Sequence, residues 1–315
     1  MTMCAQCSRL VLCCSRASRS TKKTSKKKTR SKSGSGGKPK AGKYVYFFSP
    51  SKTEGKGAWK QLLGGKGANQ SVAATKMGSR VVHIGMVGPD GAGRDALERF
   101  GIDVRFTGTD GGVTGHANIY VDDAGENLIV VMPGANHEQS LTLLKAALSE
   151  AIEGDLFLLQ NEANLMTEAA RLAREAGCFV IYSAAPFKAE KAEAMLPLVD
   201  LLVVNQIEAD QIASHLGVSI EEMDVPNILI TRGAKGADWR GAERYEQPAF
   251  LVDPVDTTGA GDCFIGAVTS GLDQDLPIAD ALRLGAAASA IQVTRPGTAD
   301  AIPTRAEVDA FLSES

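Results

Sequence analysis

At 315 residues with 44% hydrophobic content, the chain can hold one large α/β domain or two small ones, and it has no apolar run long enough to span a membrane. The formal net charge of −3 conceals an asymmetry: residues 1–53 hold 14 Lys and Arg and no acid, leaving 20 basic and 37 acidic residues beyond them. So acidic a body argues against nucleic-acid binding by anything except the tail.

Residues 1–43 are rich in Ser, Lys, Arg and Gly, with a lysine run from Lys22 to Lys28, and cannot bury enough apolar surface to fold. They read as a disordered basic tail or a targeting segment; a nucleic-acid-binding tail and a gene-model extension compete with those readings. The compartment is therefore open between cytoplasmic and organellar. Cys4, Cys7, Cys13 and Cys14 crowd this segment while Cys178 and Cys263 stand alone in the body, a pattern with no disulfide framework and suited to a reducing compartment. Cys4-x-x-Cys7 lacks the second half of a zinc site.

An apolar strand and a loop open residues 44–63. Gly64-Gly65-Lys66-Gly67-Ala68-Asn69-Gln70 then leads into a helix ending near Gly78. Its glycines permit close backbone approach to a ligand, and Lys66 and Asn69 offer hydrogen-bond donors. Val81–Val87 is a buried-strand pattern in which His83 reads as a core or edge histidine, since no acid or nucleophile is spaced near it. An amphipathic helix follows around Arg94–Phe100. Two alternating runs, Thr114–Ile119 and Asn127–Met132, flank the turn at Asp122–Gly125 and predict a hairpin.

Helical and strand periods then alternate: helix over Leu141–Ala151, strand over Asp155–Gln160, helix over Met166–Ala176, and strands over Cys178–Ser183, Leu201–Val204 and Asn227–Thr231. The alternation predicts a parallel sheet with crossover helices. Asn161 and Glu162 fall just past a strand's C-terminal end, where such folds bind ligands, although a solvated loop carboxylate reads equally well there. Asn205-Gln-Ile-Glu208 has the form of a helix N-cap with its capping-box glutamate. Arg232–Gly236 is a turn. Gly259, Ala260 and Gly261 stand where a helix should begin after Phe250-Leu-Val252, so unpaired N–H groups and the positive end of the helix dipole would face one way. Asp262 follows at once. A carboxylate against an anion site costs Coulomb energy, which suggests proton abstraction beside a phosphoryl group; an ordinary loop with an Asp cap is the plainer alternative. A small-residue helix over Ile278–Ala290 and a turn at Arg295-Pro-Gly297 close the pattern.

Asp256-Thr-Thr-Gly-Ala-Gly-Asp-Cys-Phe264 resembles the C-terminal signature of the ribokinase (PfkB-type) carbohydrate kinases, and Gly64–Gly78 resembles their N-terminal signature. The likeness runs over residues 64–315 and implies a ribokinase-like three-layer αβα sandwich with a mostly parallel sheet. A small, incomplete β lid would form around the hairpin at residues 113–132. Members of the family open with an apolar strand carrying a sugar-binding Asp and then a Pro-Gly-Glu segment, and neither is recognisable before Gly64. Residues 44–69 instead resemble the start of pyruvate phosphate dikinase, and Gly64–Asn69 is common to both families, like a join. Phosphotransfer to pyruvate is disfavoured, because nothing resembling a phosphohistidine domain follows. The expected organisation is a tail at 1–43, an atypical segment at 44–63 and a kinase domain at 64–315.

The resemblance implies ATP-dependent phosphorylation of a sugar primary hydroxyl, with ribose first and fructose, deoxyribose or nucleosides as alternatives. A catalytically impaired sugar- or nucleotide-binding relic without the first strand is the competing reading. Asp262 would be the base, and the N–H groups of Gly259, Ala260 and Gly261 would stabilise developing charge. Gly65, Lys66, Asn69, Glu162 and Asp256 would orient the sugar; Asn205, Thr231, Gly233 and Gly236 would meet the nucleotide. Asn205 and Glu208 would organise Mg²⁺ indirectly, with Gln206 in place of a frequent Glu. Asp256 and Thr258, together with Gln292, Arg295 and Gly297, would hold K⁺. Homodimerisation through the lid is a further implication.

Overall fold

Runs of branched and aromatic apolar residues with no polar alternation make strands that must be covered on both faces. The computed structural model, which describes residues 45–48, 60–61, 65–121 and 127–315, places six such runs in the parallel part of one sheet. In chain order these are β1 (Val45–Phe48), β3 (Val81–Met86), β7 (Leu156–Gln160), β8 (Phe179–Ser183), β9 (Leu201–Asn205) and β10 (Asn227–Thr231). With β4 (Thr107–Gly108), β11 (Ala237–Arg240) and β12 (Arg244–Gln247), they form nine strands ordered β12-β11-β10-β9-β8-β7-β1-β3-β4. Only the β10–β11 and β11–β12 pairs are antiparallel. A smaller sheet holds β2 (Lys60–Gln61), β5 (His116–Val121) and β6 (Asn127–Met132) in the order β2-β5-β6.

Alternate strand residues feed two cores. Val45, Val81, Leu158, Ile181, Val203 and Leu229 pack under α1 (Lys66–Lys76), α7 (Ala260–Asp273), α8 (Ile278–Val293) and α9 (Arg305–Glu314), with Leu97 of α2 (Ala92–Arg99) joining them. Ile84, Phe157, Leu159, Tyr182, Val204 and Ile230 face the opposite way. They pack against α3 (Leu141–Leu148), α4 (Met166–Glu175), α5 (Ala189–Met195) and α6 (Gln206–Leu216). This is the expected three-layer αβα sandwich. All described residues belong to the compact unit Gly42–Ser315.

The expectation that the family's opening strand is missing is corrected. Val45–Phe48 lies in the middle of the large sheet, parallel to both β3 and β7. Four residues in register with Val81–Ile84 and Leu156–Leu159 suffice to fill the gap, so of the two features that motivated the relic reading, the missing strand falls away and the missing sugar-binding Asp stays. Val45–Phe48 contains no acid. The same segment of chain also contributes β2 to the lid, where Lys60 pairs with Ile119 and Gln61 with Asn118. The predicted lid hairpin is present in β5 and β6, and its turn at 122–126 lies outside the described residues, as does the tail at 1–43. The β11–β12 hairpin, α5, α9 and the short strands β2 and β4 go beyond the predicted elements.

Strand order reverses at β1, because the chain crosses from β1 through α1 to β3 on one side and later builds β7 to β10 outward on the other. Open α/β sheets bind ligands beyond the C-terminal strand ends at such a point. Glu162, Asn205 and Thr231 all stand at those ends.

Candidate active site

Two helices meet above the sheet and bring distant sequence together. Gly266 makes that approach possible: a Cβ there would lie 2.4 Å from the Gln70 carbonyl oxygen and 2.6 Å from Ala73 Cβ. With α7 so close to α1, the buried Asp262 carboxylate meets two amides from the first turns of α1. Asn69 Nδ2 donates to Asp262 Oδ2 at 3.1 Å, and Gln70 Nε2 donates to Oδ1 at 3.0 Å. Gln160 Nε2 in turn donates to Gln70 Oε1 at 2.6 Å. Asn69 Oδ1 is buried with no partner among the described residues.

At the start of α1, the Lys66 amide donates to Glu162 Oε2 at 2.9 Å, so a carboxylate satisfies an orphan donor at the positive helix end. The Lys66 ammonium is held above the usual lysine range chiefly by the Asp262 charge. Burial opposes this shift, and Glu162 and Glu208 add to it. Lys66 is thus a firmly charged cation facing the carboxylates on which the sequence reading converged.

Gly259 caps α7 in the left-handed region at φ 79°, where a Cβ would come 3.3 Å from Thr298 Cγ2. A Cβ on Gly261 would meet nothing within 4 Å. The Ala260 amide donates to the Thr257 carbonyl at 3.2 Å, which corrects the expectation that all of the Gly259–Gly261 amides stand free. Ala260 and Gly261 line a cavity of about 500 Å³ whose walls also include Asn205, Thr231, Gly233 and Gly236. Phe250, Phe264, Ala286, Ala290 and Val293 form an apolar wall. A slot with anion-binding amides, an apolar wall and a few polar groups suits a phosphorylated aromatic ligand.

Asn205 and Glu208 form the predicted capping box: Asn205 Oδ1 accepts from the Glu208 amide, and Glu208 Oε2 from the Asn205 amide, each at 2.8 Å. Glu208 Oε1 is left for a further ligand. Asn205 and Glu208 offer oxygen ligands only, a donor set that Mg²⁺ accepts with phosphate oxygens and water completing its shell. Asp256 Oδ1 accepts from the Thr258 amide at 2.9 Å and Oδ2 from the Gly297 amide at 3.1 Å. Gln292 Nε2 donates to the Thr258 carbonyl at 2.8 Å, while Gln292 Oε1 is buried without a partner among the described residues. This all-oxygen set, with an orphan acceptor inside it, fits a hard monovalent cation. The Arg295 guanidinium turns away to Glu307 at 2.7 Å, leaving only its carbonyl to such a site.

His83 is fully buried with Nδ1 2.9 Å from Ser71 Oγ, the core role expected of it. Neither Gln70, a partner of Asp262, nor Gln160, the partner of Gln70, stands out in the sequence; a polar residue ending an all-apolar strand was the available signal for Gln160.

Residues 42–305 match the model of the pfkB family carbohydrate kinases. The chain belongs to that family. The match includes β1 and β2 as well as the stretch from Gly64 onward. Among curated members of the pfkB family, the ribokinase of Haemophilus influenzae is 33% identical over 288 residues, covering 86% of this chain and 94% of that protein. The crystal structure of the Thermotoga maritima ribokinase superposes with a TM-score of 0.72 at 30% identity, covering 86% of this chain and 99% of that one. Arabidopsis thaliana ribokinase, complexed with ribose and ATP, has the same fold at a TM-score of 0.72 and 23% identity, over 87% of this chain and 100% of its own. Among the described residues, no helix is long and apolar enough to cross a membrane.

Proposed function

We propose that this pfkB-family chain transfers the γ-phosphoryl group of ATP to the primary hydroxyl of ribose, giving ribose 5-phosphate and ADP. One observation carries the reading: Asp262 is a buried carboxylate hydrogen-bonded to α1 at the mouth of a helix start whose residues line the 500 Å³ cavity. Asp262 takes the hydroxyl proton, a contribution of about 10²–10⁴ in rate. The amides of Gly259 and Gly261 face the transferring group, and each such donor is worth on the order of 3 kcal/mol to the transition state.

Lys66, Asn69, Glu162 and Asp256 orient the sugar beside Gly65. Since β1 carries no acid, this work falls to them, and the unpartnered Asn69 Oδ1 is an acceptor for a sugar hydroxyl. The apolar wall of the cavity takes the adenine, with Asn205, Thr231, Gly233 and Gly236 toward the phosphates. Asn205 and Glu208 would hold Mg²⁺, which would supply neutralisation of the phosphate charge. K⁺ at Asp256, Thr258, Gln292, Arg295 and Gly297 would brace the loop leading into α7. By family likeness, the lid sheet also serves self-association.

The test is a panel of ribose, deoxyribose, fructose and nucleosides with ATP and Mg²⁺, read by coupled ADP release and mass analysis of the product. Ribose should give the highest kcat/KM and a monophosphate. Turnover of another sugar at tenfold higher kcat/KM would overturn the choice of substrate, and ADP release indifferent to every sugar would overturn the kinase reading itself.

A further inference from the structure

We infer that Gln70 and Gln160 are positioning residues, a two-amide relay that sets which way the Asp262 carboxylate points; the inference rests on the kinase reading of Asp262. Both side chains are fully buried, and neither lines the nucleotide cavity. An ionised carboxylate only accepts hydrogen bonds, whereas a glutamine amide presents a donor at one end and an acceptor at the other. Gln70 must therefore turn its NH₂ toward Asp262, and an inverted amide would set an oxygen against the carboxylate.

Gln160 removes that choice. Its Nε2 donates to Gln70 Oε1 at 2.6 Å and pins the oxygen end away from Asp262. The relay then stops, because Gln160 Oε1 is buried and has no partner among the described residues. An unpaired buried acceptor is costly, and a chain selected for stability alone would favour an apolar side chain at that strand end. The residues are 90 apart in sequence, and the link joins α1 to the C-terminal end of β7.

The two oxygens of Asp262 thereby acquire different surroundings. Oδ1 is tied to the relay, while Oδ2 is held by Asn69, which the proposed function assigns to the sugar. The relay leaves Oδ2 as the atom that takes the proton, and it fixes the carboxylate plane before the sugar arrives. Lys66 supplies charge to the same carboxylate but no such orientation.

Gln70→Met, Gln160→Met, Gln160→Leu and the Gln70→Met/Gln160→Met double variant test this. Each should lower kcat with ribose by roughly 10- to 100-fold with little change in KM. The two Gln160 variants should match each other, and the double variant should be no slower than Gln70→Met alone, since Gln160 acts through Gln70. Melting temperatures should hold in the two Gln160 variants, where an orphaned Gln70 acceptor replaces the orphaned Gln160 one, and fall in Gln70→Met, which leaves Asp262 Oδ1 and Gln160 Nε2 unpaired. Parental kcat in every variant, additive losses, or a Gln160 variant melting far below the parent would each overturn the relay in favour of a packing role. A second readout does not depend on turnover. In protein labelled with ¹⁵N-glutamine, the Gln70 side-chain amide, assigned by its loss in Gln70→Met, should shift and exchange faster in Gln160→Met. An unmoved Gln70 signal would overturn the relay even if the sugar reading failed.

Discussion

Asp262 and Gly261 are neighbours in sequence with opposite demands on their surroundings. Asp262 needs contacts, and it has both oxygens bonded and a lysine cation close by. Gly261 needs emptiness, which is why a Cβ there would meet no atom within 4 Å although the residue lines the cavity. Gly261→Ala should therefore leave the melting temperature unchanged or slightly raised, since Ala outranks Gly in helices by up to about 1 kcal/mol. Turnover should nevertheless fall by at least about tenfold as the methyl crowds the phosphoryl site. Calorimetry beside steady-state kinetics would show whether the two effects separate in this way. At this scale the sequence was most legible: the Gly-Ala-Gly-Asp run announces an anion site with a base beside it. The Ala260 amide, taken up by Thr257, shows its limit, because a turn bond depends on the backbone path and not on composition.

The same logic governs whole elements. The approach of α7 to α1 depends on Gly266, whose Cβ would fall 2.4 Å from the Gln70 carbonyl. Gly266→Ala should cost about 1–3 kcal/mol by overpacking. It should also lower kcat, since any separation of the helices lengthens the Asn69 and Gln70 bonds to Asp262; urea unfolding and kinetics on one preparation would check both. A second element effect concerns α9. Glu307 closes a capping box with Thr304 and pairs with Arg295. The Thr304 amide first, then Arg295 and the Thr304 hydroxyl, hold the Glu307 carboxyl down at about 2 against an ordinary 4.5. A depressed carboxyl stabilises the fold fully above its unfolded pKa, and that contribution is lost as pH falls from about 4.5 toward 2. Because Glu307 is largely exposed, the effect should stay below about 1 kcal/mol. Glu307→Gln should lower the melting temperature at pH 7 and flatten its decline in acid relative to the parent.

Taken as a whole molecule, the parallel strands were readable because burial on both faces leaves unbroken apolar runs. Observed strand and helix limits differ from the expected ones by a few residues at most, apart from α9, α5, the two-residue strands β2 and β4, and the β11–β12 hairpin, which the pattern does not predict. That hairpin is built of four-residue strands with charges at alternate positions, Ala-Asp-Trp-Arg and Arg-Tyr-Glu-Gln, too short for a clear period. For α9 the capping pair Thr304 and Glu307 was a usable signal. The place of β1 was not legible, since four apolar residues make a strand anywhere and only pairing with β3 and β7 puts them at the sheet's centre. Nor was Gln70–Gln160, a contact made by the fold across 90 residues.

The most direct measurement of the central claim is ribose- and ATP-dependent ADP release by Asp262→Ala, alongside its melting temperature. Removing one general base should cost about 10²–10⁴ in kcat while the protein still melts cooperatively near the parent temperature. Turnover undiminished in a folded Asp262→Ala protein would contradict it.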